Sequence, residues 1–197
     1  MFSNFILWII YGPFLKLCSK ILIRKINGKE NLPQKKGFIL AANHSSYLDI
    51  IALSTVLMRL RKKEVRYLAK KELVSNPIIK WIFKIGRQIT FDREAEGQIV
   101  LQEAILTGKL QKGKTGVARL ALWARVPVIP VGIKGTFELM PKGKIMPKFK
   151  KNIVINIGKP IYFDNYYKRE IKKQILRKLT DKIMTEIAKL SNQRYKL

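Results

Sequence analysis

From Gly37 onward the chain alternates short apolar, β-branched runs with longer stretches whose apolar residues recur at helical spacing. That alternation is the pattern of an α/β sheet. It predicts strands over 38–41, 65–69, 88–91, 128–133 and 153–157, and helices over 49–61, 76–85, 94–106 and 116–125. Beyond Phe163-Asp164 a long basic helix is expected, whose Ile171, Ile175, Leu179, Ile183, Ile187 and Leu190 form a stripe for packing on the core. The expected fold is therefore a mixed, mostly parallel sheet flanked by helices. One place breaks the alternation. The 94–106 helix runs through TGKLQKGKTG directly into the next helix, whereas successive crossover helices need a strand between them. A strand is missing near Ile105 and Leu106.

The chain opens differently. Residues Phe5 to Leu15 are almost wholly apolar, and Lys16, Lys20, Arg24 and Lys25 then punctuate the sequence. This run falls short of the roughly 20 apolar residues of a membrane span, and Gly12-Pro13 would bend a helix. No basic residue precedes it and no small-residue cleavage site follows, so a secretory signal fits poorly. An amphipathic helix or helical hairpin in the membrane interface fits better, its lysines reaching anionic headgroups. A helix packed on the domain and a true span are the alternatives. The chain is accordingly divided into a membrane-associating segment, residues 1–25, and a domain, residues 26–197.

Composition supports one domain with a full hydrophobic core: 197 residues, 47% of them apolar. Charge adds more, because 40 Lys and Arg against 13 Asp and Glu give +27. Any anionic surface attracts such a chain, whether phospholipid, nucleic acid or a phosphorylated metabolite. The cations comprise 29 Lys and 11 Arg, whereas base reading and bidentate phosphate forks favour Arg. No zinc pattern, RNP-like strand or recognition helix accompanies the charge, so nucleic-acid binding has charge alone behind it. Cys18 is the sole cysteine, which excludes intrachain disulfides and cysteine metal sites; no metal site is expected.

The segment FILAANHSSYLDIIAL, residues 38–53, carries the chemistry. A buried strand ends near Ala41, Asn43 breaks it, and His44 arrives where the chain turns into a helix, with Asp49 five residues on. On a regular helix the two would lie on different faces. They meet if His44 is in the turn and Asp49 in the first helical turn. A carboxylate accepting from one ring nitrogen fixes the tautomer and leaves the other nitrogen free to take a proton. His44 is the single histidine, so imidazole catalysis must use it. By pattern alone a helix-capping turn with a half-buried histidine is an equal reading.

Several blocks in order resemble a known family. NHSSYLD is similar to the histidine, four residues, aspartate motif of the PlsC-like 1-acylglycerol-3-phosphate acyltransferases. GRQITFDR, residues 86–93, looks like the family's glycine-to-arginine motif with looser spacing, and VPVIPV, residues 126–131, like its proline-bearing strand. INGKENLPQKKGFILAANHSS resembles the usual approach to the site, so the likeness covers roughly Ile26 to Pro160. The family's Phe-Pro-Glu-Gly-Thr-Arg strand is absent, at the place where the alternation fails. The missing piece is on the order of 10–20 residues. Either the polypeptide possesses a segment absent from these 197 residues, the favoured explanation, or a substrate-binding element is lost, leaving a basic membrane- or nucleic-acid-binding protein without catalysis.

The resemblance implies a glycerolipid acyltransferase-like fold and acyl transfer from acyl-CoA or acyl-carrier protein to the sn-2 hydroxyl of lysophosphatidic acid, giving phosphatidic acid. His44 would be the general base and Asp49 its orienting carboxylate. Arg93 is the candidate for the acceptor phosphate because a guanidinium fork matches phosphate geometry, the alternative being a surface arginine paired with Glu94 or Glu96. Asn43, Lys112 and Lys114 complete the substrate-binding candidates. No cofactor beyond the acyl donor is implied, and the expected partners are a phospholipid membrane, lysophosphatidic acid and the donor, with no nucleic acid. The expected location is peripheral or monotopic on the cytoplasmic face of the cell membrane. Residues 108–115, GKLQKGKT, also satisfy GxxxxGK[ST] formally, but that motif needs a strand before it, and helical pattern stands there instead.

Overall fold

The computed structural model describes residues 12–13, 16–33, 37–58, 68–70, 89–91, 108–141, 146–167 and 170–195. The predicted helices over 76–85 and 94–106, and the junction at Ile105 and Leu106, lie outside the described residues. In chain order the elements are helix α1 (residues 16–22), strand β1 (Ile23–Asn27), strand β2 (Ile39–Ala42), helix α2 (Leu48–Met58), strands β3 (Leu68–Lys70) and β4 (Ile89–Phe91), helix α3 (Gly116–Ala124), strand β5 (Val128–Lys134), helix α4 (Thr136–Leu139), strand β6 (Ile153–Ile157) and helix α5 (Lys173–Ser191).

Four strands form a sheet in the order β1-β6-β5-β2, and β3 pairs with β4 separately. The pairs β1 with β6, β2 with β5 and β3 with β4 are parallel, and β5 with β6 is antiparallel. The mixed, mostly parallel sheet expected from the alternation is thus present. Five strands fall within three residues of their predicted bounds, while β1 was not foreseen. Its sequence, IRKIN, carries two cations among five residues, so it has no apolar run to read. As an edge strand it presents Arg24 and Lys25 to solvent, a common composition for an edge.

β5 is the strand that organises the domain. It is buried from Val128 to Ile133, as expected of a strand covered on both faces. Ile129, Val131 and Ile133 pack with Leu22, Leu48, Ala52 and Val56 of α1 and α2. Val128, on the alternate register, joins Leu122 of α3 and Leu176, Leu179, Ile183 and Ile187 of α5. The result is helix, sheet, helix. The predicted stripe of α5 is core, with Leu179, Ile183 and Ile187 each 2% exposed. Gly132 lets α5 approach closely: a Cβ there would stand 2.2 Å from the Leu190 carbonyl carbon and 2.4 Å from the Ser191 nitrogen.

Strand directions decide where the site lies. Ala42 pairs with Val131, Lys134 with Val154, and Ile23 with Ile153. The C-terminal ends of β2 and β5 and the N-terminal ends of β1 and β6 therefore share one end of the sheet. The turn with His44 emerges there.

Candidate active site

The turn between β2 and α2 is held from both sides. Asn43 extends the pairing of β2 with β5 by side chain: its Nδ2 donates to the Ile133 carbonyl at 2.8 Å, and the Ile133 N–H donates to its Oδ1 at 2.7 Å. A carboxamide reproduces the donor and acceptor of a peptide group, so the ladder continues for one step while the main chain leaves the sheet. Asn43 is 5% exposed. Expected among the substrate-binding residues, it has both ends of its side chain engaged by β5.

On the other side, Asp49 sits in the first turn of α2 and folds back. Its Oδ2 accepts from the backbone N–H groups of Ser45 at 2.7 Å and Ser46 at 2.9 Å, and from His44 Nδ1 at 2.9 Å. Two donors that would otherwise be orphaned before the helix are satisfied, and the carboxylate lies at the positive end of the helix dipole. The Leu48 N–H donates to Ser46 Oγ, and that hydroxyl donates to the Met140 carbonyl at 2.9 Å, tying the turn to the end of α4. Asp49 Oδ1 is buried and has no hydrogen-bond partner among the described residues.

The pair is asymmetric in exposure. The Asp49 side chain is 2% exposed and that of His44 38%. Since a carboxylate only accepts, His44 Nδ1 is the donor of this contact, which leaves Nε2 as the nitrogen available for a proton transfer. Tyr47 in the turn and Ile50 in the first turn of α2 are 58% and 49% exposed. The capping turn and the His44–Asp49 contact, rival readings of the sequence, coexist because one carboxylate oxygen serves both.

Lys112 and Lys114 are exposed on a loop fastened to α5: Arg177 Nη1 donates to the Gly113 carbonyl at 2.7 Å, and Lys112 lies close to Asp181. Met184 and Thr180 fill the space over Gly113, where a Cβ would stand 2.4 Å from Met184 Cγ. The formal P-loop match is thus packed against protein. Arg93 lies outside the described residues. Arg177, which sequence reasoning did not single out, also makes a bidentate pair with Asp181, whose Oδ1 accepts from Tyr195 at 2.7 Å as well. The Arg177 guanidinium holds the Asp181 carboxyl below the usual carboxylate range.

A mixed sheet covered by helices, with an open imidazole backed by a buried carboxylate on the turn after one strand, is an architecture suited to acyl transfer. The sequence profile of the Acyltransferase family matches residues 23–107. The chain is 28% identical to the 1-acyl-sn-glycerol-3-phosphate acyltransferase of Bacillus subtilis (strain 168), over 86% of this chain and 88% of that one. It is 24% identical to the enzyme of that name from Streptococcus pneumoniae, covering 93% of this chain and 74% of the relative. The crystal structure of the 1-acyl-sn-glycerophosphate (LPA) acyltransferase PlsC from Thermotoga maritima superposes with a TM-score of 0.63 at 22% identity, over 98% of this chain and 95% of that one. The fold is the one expected, and the profile and the named relatives agree in making the chain an acyltransferase.

The comparisons also bear on the missing strand. The Bacillus alignment runs over 191 positions but draws on 86% of 197 residues, about 169, leaving about 22 positions of the relative unmatched. For the Streptococcus protein, 206 positions against 93% of the chain leave about 23. The profile match ends at residue 107, beside the place where the alternation lacks a strand.

Proposed function

We propose that the chain transfers a fatty acyl group from an acyl thioester, acyl-CoA or acyl-carrier protein, to the sn-2 hydroxyl of 1-acyl-glycerol-3-phosphate, producing phosphatidic acid. The observation that carries this reading is the 2.9 Å contact of His44 Nδ1 with buried Asp49, on a ring whose side chain is 38% exposed and whose Nε2 is left to take the proton. His44 Nε2 takes the hydroxyl proton as that oxygen attacks the thioester carbonyl. The new C–O bond forms, the C–S bond breaks, and the proton passes to the departing thiolate. Asp49 stabilises the imidazolium in between. No covalent enzyme intermediate is required.

Arg93 is proposed for the acceptor phosphate, and Lys112 and Lys114 for the wider electrostatic attraction of the substrate. Asn43 acts by fixing the turn. No helix among the described residues is long and apolar enough to cross a membrane, and the enzyme is proposed to work at the cytoplasmic face of the bilayer through its N-terminal segment. The relatives' names support the acceptor. The test supplies purified chain with 1-acyl-glycerol-3-phosphate and an acyl thioester, and follows free thiol and phosphatidic acid together. Equimolar appearance of both is expected; thiol release without phosphatidic acid would contradict the acceptor.

A further inference from the structure

Deepening that reading, and resting on its premise that the acceptor is met at a bilayer, we infer that residues 146–151 form a second membrane contact, on the domain itself, which together with α1 sets the His44 end of the sheet against an anionic phospholipid surface. Hydrogen bonds trace the path between them. Ser46, in the His44 turn, donates to the Met140 carbonyl; the Lys148 N–H donates to the Leu139 carbonyl at 2.9 Å; and the Asn152 N–H donates to the Leu22 carbonyl of α1 at 3.1 Å. The loop therefore lies between the catalytic turn and α1.

Its composition is that of an interface. Met146 and Phe149 are each 68% exposed, an arrangement unfavourable in water for side chains of that size. Lys148, Lys150 and Lys151 are exposed beside them. α1 repeats the pattern: Leu22 enters the core at 3% exposure, while Leu17 and Ile21 face outward at 58% and 37%. Between the two runs a cleft of about 750 Å³ whose cations are Lys16, Lys20, Arg24, Lys25, Lys29 and Lys151, with no acidic residue in its lining. Six cations flanked by outward apolar side chains match headgroup phosphates above an acyl layer. An acidic acyl-carrier protein shares the charge preference. The apolar residues, however, are spread over two segments rather than gathered in one pocket, which favours a broad lipid surface.

The experiment compares the full chain with Met146→Ser/Phe149→Ser and with Lys148→Ala/Lys150→Ala/Lys151→Ala, after thermal melts establish that each is folded. Cosedimentation uses vesicles of phosphatidylcholine alone and of phosphatidylcholine with phosphatidylglycerol. The apolar pair is expected to lower partitioning about tenfold or more on both vesicle types. The lysine triple is expected to lower it on the order of a hundredfold on anionic vesicles alone. Turnover with a short-chain, water-soluble acceptor is expected to stay unchanged, which separates this inference from the catalytic one: an inactive wild type defeats the latter without touching vesicle binding. Wild-type partitioning by both variants would overturn the proposal. So would lost turnover on the soluble acceptor, or weakened affinity for an acyl-carrier protein with vesicle binding intact.

Discussion

Asn43 and Asp49 hold His44 from opposite directions, and their substitution should fail in different ways. Asn43→Ala leaves the buried Ile133 N–H and carbonyl without their partners, at a cost of about 1–3 kcal/mol. Thermal denaturation should register that loss, with turnover falling as the turn loosens. Asp49→Asn keeps a side chain of similar shape and an oxygen for the two backbone donors, but no longer presents a carboxylate to Nδ1. Its expected signature is a fall in kcat on the order of 10²–10⁴ at nearly unchanged KM. A full-rate Asp49→Asn enzyme would reduce Asp49 to a helix cap. These contacts explain how much of the site was legible in the sequence. The strand-to-helix punctuation around residues 41–49 let the His44–Asp49 contact be anticipated, while the capping turn remained an equal reading of the same residues. The bracing role of Asn43 could not be read from the sequence, because its partner Ile133 lies 90 residues away.

Between elements, α5 approaches β5 closely over Gly132. Gly132→Ala would drive a methyl group into the backbone at Leu190 and Ser191, lifting the end of α5 from the sheet. A loss of about 1–3 kcal/mol is expected, measurable as a lower denaturant midpoint. At mid-helix the Arg177–Asp181 pair anchors the 108–115 loop. Since the folded-state carboxyl of Asp181 ionises at lower pH than in the unfolded chain, its contribution is present above the ordinary carboxylate range. It is lost as the pH falls through the depressed folded value. Asp181→Asn should therefore cost about 1 kcal/mol near neutrality, and the difference from wild type should vanish in acid. A pH-independent difference would place its origin in packing. The elements themselves were largely readable, β5 from its apolar run and α5 from its stripe. β1 was hidden because an edge strand carrying Arg24 and Lys25 lacks the alternation that marks a half-buried one.

Across the whole molecule, charge and exposed apolar surface act together. In the proposed membrane contact, a net +27 would draw the chain to anionic bilayers over a range that salt shortens to roughly 8 Å at physiological strength, while the exposed Met146, Phe149, Leu17 and Ile21 would supply attachment that salt does not screen. Partitioning onto anionic vesicles should accordingly fall steeply with added salt and level off above zero; a decline to zero would leave electrostatics as the whole of the attraction. The sequence showed the charge but not its placement, since the cations of α1, β1 and Lys151 meet in one cleft only through the pairing of β1 with β6. The Bacillus and Streptococcus alignments leave roughly twenty positions of the relatives unmatched, about the length of the strand and turns that the alternation requires.

The central claim is that His44, held by Asp49, removes the acceptor's proton. It is tested most directly by measuring kcat for acyl transfer to 1-acyl-glycerol-3-phosphate with wild type and His44→Ala at matched thermal stability. A fall of about 10²–10⁴ is predicted; equal rates would contradict the account.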